Sequence, residues 1–162
     1  MSLEIERRFI VKNDLWRESI ISHENIKQGY LASTEKGWTV RIRISNEQKS
    51  WITLKTIKSG ITNYEFEYLI PIVDALAIWQ SLDQKIIKDR YQLILNGSNW
   101  IIDCFNGENF PLTIAEIELD SEKQTLKKPS WCGKEITGQY QLSNASLAKT
   151  PLSQVPLKAR CP

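Results

Sequence analysis

A two-residue alternation of charged and apolar side chains constrains this chain more than any other feature. Val40, Ile42 and Ile44 fall on one face of an extended segment, with Arg41 and Arg43 on the other. That period belongs to a β-strand, where successive side chains point to opposite faces. The pattern recurs along the chain. Glu4, Glu6 and Arg8 oppose Ile5, Phe9 and Val11, and Thr53 and Lys55 oppose Ile52 and Leu54. Glu65 and Glu67 alternate with Tyr64, Phe66 and Tyr68. Lys88, Arg90 and Gln92 share a face against Tyr91, Leu93 and Leu95. Asp103 is the one charge in residues 100–105, and Glu116 and Glu118 oppose Ala115, Ile117 and Leu119. Residues 27–31 make a weaker strand, which brings the expected number to about eight.

Turn chemistry divides these strands. Glu35-Lys36-Gly37 and Ser59-Gly60 reverse the chain, and Asn96-Gly97 is a two-residue hairpin signal. Two helices interrupt the series. Residues 13–21 carry Leu15, Trp16, Ser19 and Ile20 at helical spacing behind Asn13 as N-cap. Residues 73–82 follow Pro71 and line up Leu76, Trp79 and Leu82. Periodicity fades after Asp120: residues 131–138 read as a loop or short turn, and residues 144–148 as a last small helix. The expected organisation is one domain over residues 1–150 and a flexible, proline-containing tail over 151–162. Turn spacing favours antiparallel pairing, so the class is α+β with a large antiparallel sheet.

Composition narrows the function. Lysine plus arginine number 21 against 19 acids, a net +2 over 162 residues. That balance argues against non-specific nucleic-acid or membrane-surface binding, which need a basic excess. No apolar run is long enough to span a bilayer, and the N-terminus does not read as a signal peptide. Cys104, Cys132 and Cys161 are widely spaced, without CxxC or zinc spacing, and suit a reducing cytoplasm. The single His23 lies in a polar stretch, which argues against a histidine metal site or a Ser-His-Asp triad.

The charged faces carry the functional signal. Six bases (Arg8, Arg41, Arg43, Lys55, Lys88, Arg90) stand against seven acids (Glu4, Glu6, Glu65, Glu67, Asp103, Glu116, Glu118). Closure of the sheet would remove its edges and turn this face into a lumen that admits side chains or one small ligand. Ionic groups there must be wet, paired or occupied by a charged ligand. An open sheet with a solvated charged face is the alternative. Carboxylates suit a hard divalent cation, and arginine and lysine suit phosphate. Together they point to a metal–polyphosphate complex.

Glu4-Ile5-Glu6-Arg7-Arg8-Phe9 resembles the ExExK signature of the CYTH superfamily, the triphosphate tunnel metalloenzymes. The likeness continues in order through Gln28-Gly29-Tyr30, Arg41-Ile42-Arg43, Lys55, Glu65-Phe66-Glu67, Lys88-Asp89-Arg90, Glu116-Ile117-Glu118 and Gly133 to Gly138. It covers about residues 1–150 and implies a closed eight-stranded antiparallel barrel with flanking helices. The same resemblance implies a metal set of Glu4, Glu6, Glu116 and Glu118, with Asp103 contributing, for Mg²⁺ or Mn²⁺. Phosphate ligands would be Arg8, Arg41, Arg43, Lys55, Lys88 and Arg90, with Lys134 capping one end and Tyr30 near the substrate. Glu6, Arg8 and Arg41 would be the catalytic residues, and Glu65 and Glu67 would orient the bases by ion pairs.

One position departs from the motif: Arg8 stands where the signature has lysine. Arginine keeps the charge but does not give up a proton. Three functions follow from the resemblance: a metal-dependent triphosphatase acting on tripolyphosphate or a related triphosphate, a class IV-type adenylyl cyclase, and a polyphosphate-binding module made inert by Arg8. The triphosphatase leads, because no base-recognition contacts are apparent. The expected partner is a small triphosphate, with neither nucleic acid nor membrane involved. The apolar outer faces and six tryptophans permit a homodimer.

Overall fold

The computed structural model describes residues 3–35 and 37–155. Eight antiparallel strands form a closed barrel: β1 (Leu3–Val11), β2 (Ile20–Ala32), β3 (Thr39–Ser45), β4 (Lys49–Ser59), β5 (Thr62–Leu69), β6 (Lys85–Leu95), β7 (Ser98–Phe105) and β8 (Thr113–Glu118). The spatial order β5-β4-β3-β2-β6-β7-β8-β1 closes where β1 returns to β5. Two α-helices accompany it, α1 (Ile72–Ser81) and α2 (Asn144–Lys149). The charged faces therefore line a lumen, and the open-sheet alternative is excluded.

The closing seam is short. Among the described residues β1 pairs with β5 through Leu3↔Tyr64, Glu4↔Asn63 and Ile5↔Thr62. Beyond that point a ninth strand, β9 (Cys132–Glu135), takes over the same edge of β1 through Phe9↔Glu135 and Val11↔Cys132. Arg8 sits at this fork. Its amide donates to Thr137 Oγ1 and its carbonyl accepts from Ile136 N, at 3.0 and 2.8 Å. Residues 131–138, expected as a loop, thus contain a strand. Cys-Gly-Lys-Glu offers no alternation to read, and the element exists because β1 has an edge free to receive it. Close approach shapes it too, since a Cβ on Gly133 would lie 2.7 Å from the Ile10 carbonyl oxygen.

The helix expected over residues 13–21 shrinks to a 3₁₀ turn, Leu15–Ser19, and β2 begins already at Ile20. From Ile20↔Leu93 to Gly29↔Lys85, β2 pairs with β6 along its length, and that ladder outweighs local helical spacing. Asn96 and Gly97 both adopt positive φ, 51° and 76°, as a type I′ turn requires.

Three apolar clusters organise the rest. Outside the barrel, Trp16, Trp100 and Trp131 cover Phe9, Ile102, Ala115 and Ile117. Across the barrel, α1 packs Ala75, Leu76 and Trp79 on Ile42 and Ile44, the outward residues of β3. The third cluster lies at the end of the barrel where β1 finishes. Ile86, Phe105, Ile114 and Ile136 meet Leu142, Ala145, Leu147 and Ala148, so α2 and the turn before it form a plug. The expected tail at first continues this packing: Leu152–Gln154 is a 3₁₀ turn, and Leu152 N donates to Asn109 Oδ1 at 2.9 Å. Residues 156–162, with Cys161, lie outside the described residues. Among the described residues no helix is long and apolar enough to cross a membrane.

Candidate active site

Beside the plug the lumen holds a cavity of about 250 Å³. That is a compact space by the standard of small-molecule sites, roughly 300–1,000 Å³. Glu4, Glu6 and Arg8 of β1 line it with Tyr30 of β2, Arg41 and Arg43 of β3, Lys55 of β4, Glu65 of β5, Arg90 of β6, and Glu116 and Glu118 of β8. These residues come from seven strands and meet because each occupies an inward position of the alternation. Glu67 faces an adjoining hollow that it shares with Glu4, Glu65 and Glu118.

Register explains the local pairing. Glu6 lies directly across from Glu118, and Arg8 from Glu116. Arg8 Nε donates to Glu116 Oε1 at 3.0 Å, and Nη1 donates to the Leu142 carbonyl of the plug at 3.1 Å. Its remaining nitrogen, Nη2, is buried without a hydrogen-bond partner, as is Nε of Arg41. Buried guanidinium donors rarely stay unmatched, because an unmade bond there forfeits the full desolvation cost. Two such donors on residues lining one cavity suit an anionic ligand. Arg43 Nη2 donates to Glu67 at 2.9 Å, and Arg41 Nη2 stands 3.8 Å from Glu65. Tyr30 Oη accepts from the buried Gln28 amide, and burial raises its pKa against the pull of Arg41.

On the carboxylate side, Lys55 Nζ donates to Glu4 Oε2 and lies 3.4 Å from Glu6 Oε1 and 3.5 Å from Glu65 Oε2. Burial, with Glu6 close by, pushes the Glu4 carboxyl up to about 7. Burial acts on Glu6 as well, but Lys55 and Arg8 outweigh it and hold that group below its usual range. Metal sites favour this kind of all-oxygen wall.

Three expected site residues fall elsewhere. Lys88 is fully buried behind the cavity: its Nζ donates to Asp103 Oδ2 at 2.5 Å and to Asn144 Oδ1 at 3.3 Å, and burial lowers its pKa to about 8. It pairs across from Phe105 of β7, at the plug's depth, and its ammonium is committed to Asp103 and Asn144. Asp103 is equally buried, and its oxygens are already taken. Arg90 reaches both at 2.8 Å and Lys88 adds a third bond, so burial is overruled and the carboxyl is held well below the usual range. Asp103 thus fixes the Arg90 guanidinium at two points. Lys134 is exposed on β9, off the cavity. Missed by sequence reasoning were Tyr140, Ser143 and Asn144, which line the cavity from the plug, Ser33 and Thr34 from the β2–β3 connection, and Thr39 at the start of β3. Only Thr39, two residues before Arg41, extends a periodic face; the loop and plug residues carry no such signal.

The family model of the CYTH domain matches residues 2–151. The chain belongs to the CYTH family. The inorganic triphosphatase of Acetivibrio thermocellus is 40% identical over 153 residues, which are 93% of this chain and 96% of that protein. The solved structure of the inorganic triphosphatase NE1496 aligns with a TM-score of 0.68 at 28% identity, covering 96% of this chain and 98% of that one. HpAC1 from Hippeastrum, a protein with a dominant triphosphatase activity, aligns at 0.52 with 12% identity over 75% of this chain and 80% of its own, a likeness of fold alone. CYTH tunnel proteins are metal-dependent. Among the described residues no three carboxylates already stand in ligating geometry. The donor chemistry nonetheless fits a hard cation: Glu4, Glu6, Glu116 and Glu118 bring four carboxylates to the cavity from two neighbouring strands, and Glu65 Oε2 is buried without a hydrogen bond.

Proposed function

We propose that this CYTH protein hydrolyses inorganic tripolyphosphate or a closely related triphosphate, with Mg²⁺ or Mn²⁺ as cofactor. The observation that carries the reading is the pair of buried, unpartnered guanidinium nitrogens, Arg8 Nη2 and Arg41 Nε, on residues that share the cavity with carboxylates. The 40% identity to an inorganic triphosphatase over nearly its whole length supports it.

In this reading the bases hold the phosphate chain. Arg8 and Arg41 offer their free donors, Arg43 and Arg90 add charge, and Asp103 locks the Arg90 guanidinium in a two-point clamp. Tyr30 keeps its proton and offers a neutral hydroxyl beside them. Glu4, Glu6, Glu116 and Glu118 would hold the metal, which when bound supplies Lewis acidity toward phosphate oxygens. Water attacks the terminal phosphorus and gives its proton to the released phosphate, a new P–O bond forms, and the bridging P–O bond breaks. Its electron pair leaves with the diphosphate. Arg8 and Arg41 neutralise charge on the transferred group in a preorganised, poorly hydrated site, the term that usually dominates such reactions. Arg8 acts here as an electrostatic clamp, so the lost lysine of the motif is no obstacle.

The test is phosphate release from tripolyphosphate with each metal between neutral and alkaline pH. The same samples given ATP are read for cyclic AMP. Phosphate release supports the reading. Silence with both metals sinks it, and cyclic AMP as the main product replaces it.

A further inference from the structure

Lys55 has an unusual set of neighbours. Its single ammonium donates to Glu4 and lies within ion-pair distance of Glu6 and Glu65, so three carboxylates converge on one nitrogen. An ammonium has three donors and no acceptor; here two of them meet Glu4 and Glu6, and Glu65 stands at ion-pair distance beside them. Lys55 enters from β4, with Thr39 and Glu65 as cross-strand neighbours, whereas Glu4 and Glu6 come from β1. A compact point charge on a flexible stem can fill an oxygen nest and also leave it, which a rigid guanidinium fork does less readily.

We propose that Lys55 is the built-in counter-ion of the metal carboxylates: it holds Glu4 and Glu6 in the resting protein and moves to phosphate when triphosphate enters, so that metal and triphosphate bind cooperatively. This rests on the reading above that Glu4 and Glu6 hold the metal. A divalent cation approaching the resting site meets a positive charge already bonded to its ligands, and at contact distance that repulsion is strong. A polyanion gives the ammonium another partner and frees the carboxylates. By linkage, whatever factor triphosphate adds to metal affinity, metal returns to triphosphate. The arrangement keeps the site weak toward free metal and strong toward the metal–triphosphate pair.

The test measures Mn²⁺ binding to the full chain by calorimetry and by the electron paramagnetic resonance of free Mn²⁺. Each measurement is made with and without a non-hydrolysable imido analogue of tripolyphosphate. Without the analogue, Lys55→Met binds Mn²⁺ tighter than the unsubstituted protein, on the order of tenfold or more, and Lys55→Arg does not. With it, the unsubstituted protein gains Mn²⁺ affinity and Lys55→Met gains less. Lys55→Gln, which keeps a donor for the carboxylates, is expected to move in the same direction and serves if the methionine variant does not fold. Equal or weaker Mn²⁺ binding by the uncharged variants overturns the counter-ion role while leaving the metal reading intact. No Mn²⁺ binding by any form, with or without the analogue, overturns the metal reading and the counter-ion role with it.

Discussion

Arg8 does three things that a lysine at the same place would divide. Its fork bonds Glu116, bonds the plug at Leu142 and leaves one buried nitrogen without a partner. A lysine is a point charge and cannot reach all three. Arg8→Lys is therefore expected to retain phosphate release but to unfold at lower temperature, losing about 1–3 kcal/mol for the bonds left unmade; a thermal melt checks it. Arg41 has no such structural duty toward the plug, and Arg41→Ala should lose roughly 10²–10³-fold in kcat while the melt stays near that of the parent. Glu4 sets a pH dependence. Its raised pKa, about 7, means that in the metal-free protein its contribution to stability is present at acid pH and is lost as pH rises through 7. Metal needs the carboxylate, so below about 7 Mn²⁺ binding should release a proton and weaken by roughly tenfold per pH unit. Calorimetry in two buffers of different ionisation enthalpy measures the proton.

At the scale of elements, the decisive pieces are the plug and the ion network that joins it to the wall. Lys88 ties Asn144 of α2 to Asp103 of β7, and Asp103 in turn fixes Arg90. Asp103→Asn would leave two buried cations short of charge, at a cost of about 3–5 kcal/mol, yet Mn²⁺ stoichiometry should be unchanged if the Asp103 oxygens stay committed to Arg90 and Lys88. Loss of bound metal in that variant would place Asp103 in the metal set. Leu147, fully buried in the plug, has no polar role. Leu147→Ala should cost about 2–5 kcal/mol, and any activity lost beyond that of the unfolded fraction would show that the plug also shapes the cavity.

Taken whole, the molecule is a barrel closed at one seam by three residue pairs and filled unevenly along its axis. One stretch is apolar and sealed by α2, and the next is ionic and hollow. Folding thus accepts poorly matched charges in the cavity, which a bound ligand would relieve. Mn²⁺ with the imido analogue at about a hundred times the dissociation constant should stabilise the fold by about 2.7 kcal/mol. A melt unmoved by saturating ligand would argue that the cavity does not receive it.

The strands were readable from residues because a period of two forces charges to one face and apolar groups to the other. Asn96-Gly97 announced its own turn for a similarly local reason, the positive φ that both residues tolerate. The ionic face, and with it Glu4, Glu6, Arg41, Lys55 and Glu116, followed from pattern alone. Depth did not. Lys88 and Arg90 point the same way and stand two residues apart, yet Arg90 reaches the cavity while Lys88 is spent on the plug. Alternation selects a face, but position along the barrel depends on register, strand tilt and what fills each end. β9 and the exposure of Lys134 were hidden for the same reason: both depend on the edge of β1 that β5 leaves open, a vacancy between distant segments that no local spacing records.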